Sequence, residues 1–194
     1  MRTIRILIQL IFLFSMFLTF GCSTHSGPND TLFAAKKVVY LKNNIHVQKT
    51  GRDYKASYAN WVSSMAGHFV LPVNTPVEIK KWKRGFIIKN HENGMNILFE
   101  FNQVNMGMSI NEYLQIITSP AMVPLTGLSK IDLKGIKDGT AYIGMSKKGI
   151  QIALGYPATH RTPSLTENRW TYWRNRFVTM RVEFDQNGKV RQIW

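Results

Sequence analysis

The chain has 194 residues, with 25 Lys and Arg against 11 Asp and Glu, a formal charge of +14, and 44% hydrophobic and 12% aromatic residues. That length suits one ordinary domain or two small ones, and the composition excludes a disordered tail. A single cysteine excludes an internal disulfide framework, and the basic excess points either to an anionic partner or to solubility alone.

Met1-Arg2-Thr3-Ile4-Arg5 is followed by an apolar run to Phe20, broken by Gln9, Ser15 and Thr19. A basic start, a short apolar core and a small residue before a cut describe a secretory signal. Here the small residue is Gly21, and the lone cysteine, Cys22, comes next. Leu18-Thr19-Phe20-Gly21-Cys22 resembles the lipobox of bacterial lipoproteins, departing from it at Thr19 and Phe20, where that pattern prefers leucine and a small residue. The resemblance implies cleavage after Gly21 and acyl chains on the Cys22 sulfur. The competing reading is an uncleaved anchor, because the run is near the low end of the ~20 apolar residues a spanning helix needs. The position of the cysteine favours lipidation. One acyl chain anchors only marginally, whereas two or three hold a protein on a bilayer. The membrane, through acyl chains on Cys22, is then the first partner, and the location is the cell envelope. Ser23 after the cysteine fits the outer membrane, facing the periplasm. Nucleic acid is not an expected partner there. Anionic lipid, lipopolysaccharide, peptidoglycan and an envelope protein are.

Residues 1–21 thus read as signal peptide and 22–35 as a lipidated tether, polar from Ser23 to Thr31 with Gly27 and Pro28 inside it. Residues 36–104 read as a small β module. Val38 to Leu41 and Ile45 to Val47 flank Asn43-Asn44, a pair suited to a tight hairpin. Gly51 to Trp61 shows no period and reads as a loop or short helical turn. A proline-bounded turn, Leu71 to Pro76, leads into Val77 to Lys80, and Phe86-Ile87-Ile88 follows Gly85. His91-Glu92-Asn93-Gly94 is a hairpin signal, after which Ile97, Phe99 and Phe101 alternate with polar neighbours. Several short strands with turns between them suggest a small barrel, and the Leu71 to Val77 turn is similar to that of bacterial SH3-type modules.

From Asn105 the character changes. Ser109-Ile110-Asn111-Glu112 is a capping box, and Ile110, Tyr113, Leu114 and Ile117 lie on one face of the helix it starts. Ser146 caps a second helix, with Ile150, Ala153 and Leu154 inward and Gly155 as stop. Its start is poor in intrinsic terms: Lys147 and Lys148 oppose the helix dipole, and Gly149 costs up to about 1 kcal/mol. Asp132 and Asp138 lie in a turn-rich stretch. Arg169 to Trp173, Phe177 to Phe184 and Lys189 to Ile193 finish the chain as strands. In the second of these Val178, Met180, Val182 and Phe184 face one way. The expected fold class is α+β: a small β module, then helix, helix and a three-stranded antiparallel sheet over 105–194.

Gly144-Met145-Ser146, Leu154-Gly155-Tyr156-Pro157, Trp170-Thr171-Tyr172 and Val182-Glu183-Phe184-Asp185-Gln186-Asn187-Gly188-Lys189-Val190 resemble the SmpA/OmlA family, the BamE-type lipoproteins of outer-membrane assembly. The likeness spans Gly144 to Val190, and reaches back to Asn105 if the first helix belongs to it. It implies a BamE-like module and a binding or scaffolding subunit of envelope assembly or integrity. The alternative is a peptidoglycan- or lipopolysaccharide-binding lipoprotein that uses the β module.

No catalytic residue is identified. The five histidines, at 25, 46, 68, 91 and 160, have no metal-ligand spacing, and nucleotide and nucleophile motifs are absent. No enzyme activity, cofactor or metal is expected. Two basic-aromatic clusters are the partner-contact candidates. Lys81, Trp82, Lys83 and Arg84 read as a hairpin tip suited to an anionic surface, or as a solvated tip that protects an edge. In Arg169 to Arg176, Trp170 and Tyr172 are assigned to the core, which leaves Trp173, Arg174 and Arg176 for contact.

Overall fold

The computed structural model describes residues 37–63 and 65–194, so the expected signal, Cys22 and the tether lie outside the described residues. Strands β1 (Val39–Leu41), β2 (Ile45–Thr50), β3 (Asp53–Ser57), β4 (His68–Leu71), β5 (Pro76–Trp82), β6 (Gly85–Asn90) and β7 (Asn96–Glu100) come first. Two helices, α1 (Gln103–Met106) and α2 (Ile110–Ile117), run into the two-residue strand β8 (Thr118–Ser119). Then come α3 (Lys130–Asp138), α4 (Lys147–Leu154), β9 (Arg169–Trp173), β10 (Thr179–Phe184) and β11 (Val190–Ile193). The first eight strands form one curled mixed sheet in the order β4-β2-β3-β7-β6-β5-β1-β8, whose β3–β7 pair is parallel. The last three form an antiparallel sheet, β11-β10-β9.

The architecture is mostly β, which corrects the expected α+β fold class: neither a small SH3-like barrel nor a BamE-like helix-helix-three-strand module describes it. Four local causes account for the difference. Asn43-Asn44 makes no hairpin. Both residues are buried, and Asn44 gives its backbone N–H to the Ile152 carbonyl (2.8 Å) and its side-chain amide to those of Ile136 (2.7 Å) and Ala153 (3.3 Å). These carbonyls belong to the last turns of α3 and α4, where intrahelical partners run out. The chain therefore crosses from β1, which pairs with β5 and β8, to β2 at the far side of the sheet, which pairs with β3 and β4.

The stretch read as a loop, Gly51 to Trp61, contains β3, because Ala56 enters the first core while Tyr54 packs against it. Helix α2 completes that same core. Phe86 and Phe99 are cross-strand partners with rings stacked at 4.5 Å, and Tyr113 of α2 packs over them at 6.3 and 5.6 Å. Burying Tyr113, Leu114 and Ile117 contributes about 1.5–3 kcal/mol per side chain, which ties α2 to the first sheet. The fourth cause is α3 itself. Its Lys130, Gly135 and Lys137 hide an apolar face, and its start is a capping box between Ser129 and Asp132.

Several local expectations hold. Ser109 and Glu112 form the expected capping box, and Ser146 Oγ accepts from the Gly149 N–H at 3.0 Å. The β6–β7 turn falls at His91 to Gly94. Trp170, Tyr172, Met180, Val182 and Phe184 are buried under α3 and α4 in the second core, while Val178 lies outside it and is 47% exposed.

Helix α4 answers its poor start with a carboxylate from α3. Asp132 Oδ2 accepts from Ser129 N–H (3.1 Å) and hydroxyl (2.7 Å), and Oδ1 accepts from Ser146 N–H (2.7 Å) and hydroxyl (3.1 Å). One buried side chain thus caps two helices and supplies negative charge beside Lys147 and Lys148. Burial pushes the Asp132 carboxyl up, but these four bonds more than offset it and hold it below the usual range. Gly149 is there for space: a Cβ would overlap Asp132 Oδ1 and stand 3.0 Å from its Cβ.

Candidate functional site

Strands β2 and β3 meet at Gly51-Arg52, with Gln48 opposite Lys55 and Thr50 opposite Asp53. The tight turn keeps Lys49 and Lys55, in adjacent register pairs, at one end of the sheet. The segment after β3 is stitched to this end from both sides. Val62 N–H donates to the Trp173 carbonyl (2.8 Å) and Ser63 N–H to that of Arg174 (3.1 Å). On the other side Lys49 N–H donates to the Gly67 carbonyl (2.9 Å), and the Gln48 amide to that of Ala66 (2.7 Å). The β9–β10 turn closes the third side, held by Arg174 N–H donating to the Val178 carbonyl at 2.7 Å.

These three pieces border an open cavity of about 440 Å³ lined by Gln48, Lys49, Thr50, Lys55, Trp61, Met65, Arg174, Asn175 and Arg176. Four of the nine are cations and none is acidic. Asp53, across the hairpin from Thr50, does not line it. Ion pairs among the described residues engage other cations: Lys89, Lys134, Arg169 and Arg191. The cavity offers two planar guanidinium forks and two ammonium groups beside an indole, an arrangement suited to a phosphate or carboxylate on an apolar stem.

Trp61 reaches the wall through strained backbone. Asn60 and Trp61 have φ of 70° and 38°, a region that bulky residues avoid and that costs about 1–3 kcal/mol where it occurs. The surroundings hold it: Asn60 N–H donates to the Ser57 carbonyl (2.9 Å), its side-chain amide to that of Tyr156 (2.8 Å), and Trp61 N–H to that of Ala59 (3.0 Å).

Of the candidates from sequence, Arg174 and Arg176 line the cavity. Trp173 is half-buried, packed against the first core with its ring 5.2 Å from that of His160. Lys81, Trp82, Lys83 and Arg84 are at the β5–β6 hairpin tip, as their spacing suggested, and do not line this cavity. Lys49, Lys55, Trp61 and Met65 escaped sequence reasoning, since each stands alone among unremarkable neighbours. A second cleft of about 310 Å³ carries only Lys42 and Lys148 as cations, and Lys42 Nζ already donates to the Gln115 carbonyl at 3.1 Å.

Two histidines meet although 22 residues separate them. His46 Nε2–H donates to the Ala153 carbonyl (2.9 Å), so its Nδ1 carries the lone pair and accepts from His68 Nε2–H (3.1 Å). Burial lowers the His46 imidazole to about 4; the bond to Ala153 opposes this and His68 adds to it. Burial lowers His68 as well. Among the described residues no three His, Cys, Asp or Glu side chains converge as metal ligands would.

Compared with protein-family models, with curated proteins and with solved structures, the chain yields no match.

Proposed function

We propose that this chain is a lipid-anchored envelope protein that works by binding, and that its cationic cavity takes an anionic group of the envelope. The observation that carries the reading is the cavity lining: Lys49, Lys55, Arg174 and Arg176 with no acid among them, beside Trp61 and Met65. Such a site selects negative charge. Support for the envelope comes from Gly21-Cys22 at the end of the apolar run. The motifs from Gly144 to Val190 favour a second reading, in which a protein of outer-membrane assembly is the docked partner and the chain is its scaffold.

Reversing two charges tests the first reading. The Arg174→Glu, Arg176→Glu double variant is compared with the wild-type chain for retention on lipopolysaccharide, on isolated sacculi and on anionic vesicles. Arg174 and Arg176 are both exposed, so the fold tolerates the change. Affinity for the true ligand is expected to fall about tenfold or more, the equivalent of about 1.4 kcal/mol. The arm that responds names the source of the anion. Unchanged retention on all three would defeat the proposal, and recovery of assembly proteins by both forms would favour the scaffold.

A further inference from the structure

We infer that the anion bound in this cavity is borne on a lipid bilayer, and that the β9–β10 turn is the part of the protein that enters the bilayer surface. This rests on the anion-binding reading above and adds the physical setting of the ligand. Phe177 at the turn is 87% exposed, Val178 beside it 47%, and Met65 on the cavity wall 53%. Phe177 and Val178 thus follow directly on Arg174, Asn175 and Arg176 of a lining that is mostly cationic and polar and that also exposes Met65. A single exposed leucine or valine on a surface needs no explanation, but an exposed apolar cluster beside concentrated charge does.

The turn is built to hold Phe177 outward. Asn175 Oδ1 accepts from the N–H groups of both Phe177 (2.9 Å) and Val178 (3.0 Å), and the Arg174 N–H to Val178 carbonyl bond closes the loop. Phe177 is thus presented on a fixed frame, one residue beyond Arg176. An apolar tip with a collar of cations behind it matches the layering of a membrane surface, where acyl chains lie just beneath a plane of phosphates. Arginine stems are long enough to keep the guanidinium at that plane while the tip goes deeper. Peptidoglycan supplies carboxylates but no apolar layer for Phe177 and Val178. A second copy docked through the same face would set four cations against four, so self-association there is opposed by charge.

The test places a reporter at the tip. Phe177→Trp in the full acylated chain changes an exposed side chain and leaves both cores alone. Variant and wild type are reconstituted on vesicles of brominated phosphatidylcholine, with and without phosphatidylserine. The additional indole emission is expected to shift to the blue and to be quenched by the bromines when phosphatidylserine is present. Adding Arg174→Glu and Arg176→Glu should abolish both effects. Emission that stays water-like on anionic vesicles and on vesicles carrying lipopolysaccharide, while the two arginines still govern retention on sacculi, overturns the bilayer inference and leaves the anion site standing. If the arginines govern nothing, both fall. Equal quenching with and without phosphatidylserine overturns the role given to the cavity charges.

Discussion

Replacing Asp132 with alanine is expected to destabilise the fold by about 2 kcal/mol, because it strips two part-buried N–H groups and two hydroxyls at the starts of two helices of one acceptor at once. The measurement is a urea unfolding curve: the midpoint should drop while the slope stays the same. A double-mutant cycle sharpens it. Gly149→Ala alone inserts a methyl into the Asp132 carboxylate, and overpacking of this kind costs roughly 1–3 kcal/mol. With Asp132→Ala also present the overlap is gone and only the 3.0 Å approach to Cβ remains, so most of that cost should vanish. Strict additivity of the two changes would show that Asp132 and Gly149 are not coupled as described.

The second large effect is a loss of stability between pH 6.5 and pH 4. His46 titrates near 4 in the folded protein and near its ordinary 6.5 when unfolded, so across that window the unfolded chain binds the extra proton. Stability therefore falls as pH falls, by about 3 kcal/mol over the window for this one group, with the half-buried His68 adding in the same direction. The lowered carboxyl of Asp132 acts the same way but at lower pH, so the two contributions separate along the titration. His46→Gln, which keeps a donor for the Ala153 carbonyl and cannot charge, should flatten the upper part of the curve. An unchanged slope between pH 6.5 and pH 4 in that variant would assign the acid sensitivity elsewhere.

What the sequence revealed follows the range of the interactions concerned. The Ser109 and Ser146 caps depend on residues three positions away, and the β6–β7 turn and the Trp170/Tyr172 alternation are equally local, so spacing alone exposes them. Asn43-Asn44 misled for the opposite reason. Its composition is that of a turn, but Asn44 bonds to helix ends 92 and 109 residues further on. The parallel β3–β7 pairing joins strands with three others between them in the chain, and nothing in Asp53 to Ser57 advertises it. Helix α3 was obscured by Lys130, Gly135 and Lys137, although Ser129 and Asp132 carry the same three-residue spacing that exposed α2. The cavity was half legible. Arg174 and Arg176 stand in a dense basic-aromatic cluster, whereas Lys49, Lys55, Trp61 and Met65 acquire meaning only when three separate segments are folded against each other.

The bonds from Asn44 and His46 to the last turns of α3 and α4 also set the order in which the molecule can assemble. Asn44, just before strand β2, and His46 within it are made early by the ribosome, yet neither has its full set of partners until residue 153 has followed. Ring closures of that length are slow and delay the commitment of everything that depends on them. The amino-terminal sheet is thereby left with unmet hydrogen bonds while the remainder is still emerging. A chain with that timetable completes the bonding of its first sheet only after residue 153 has been made.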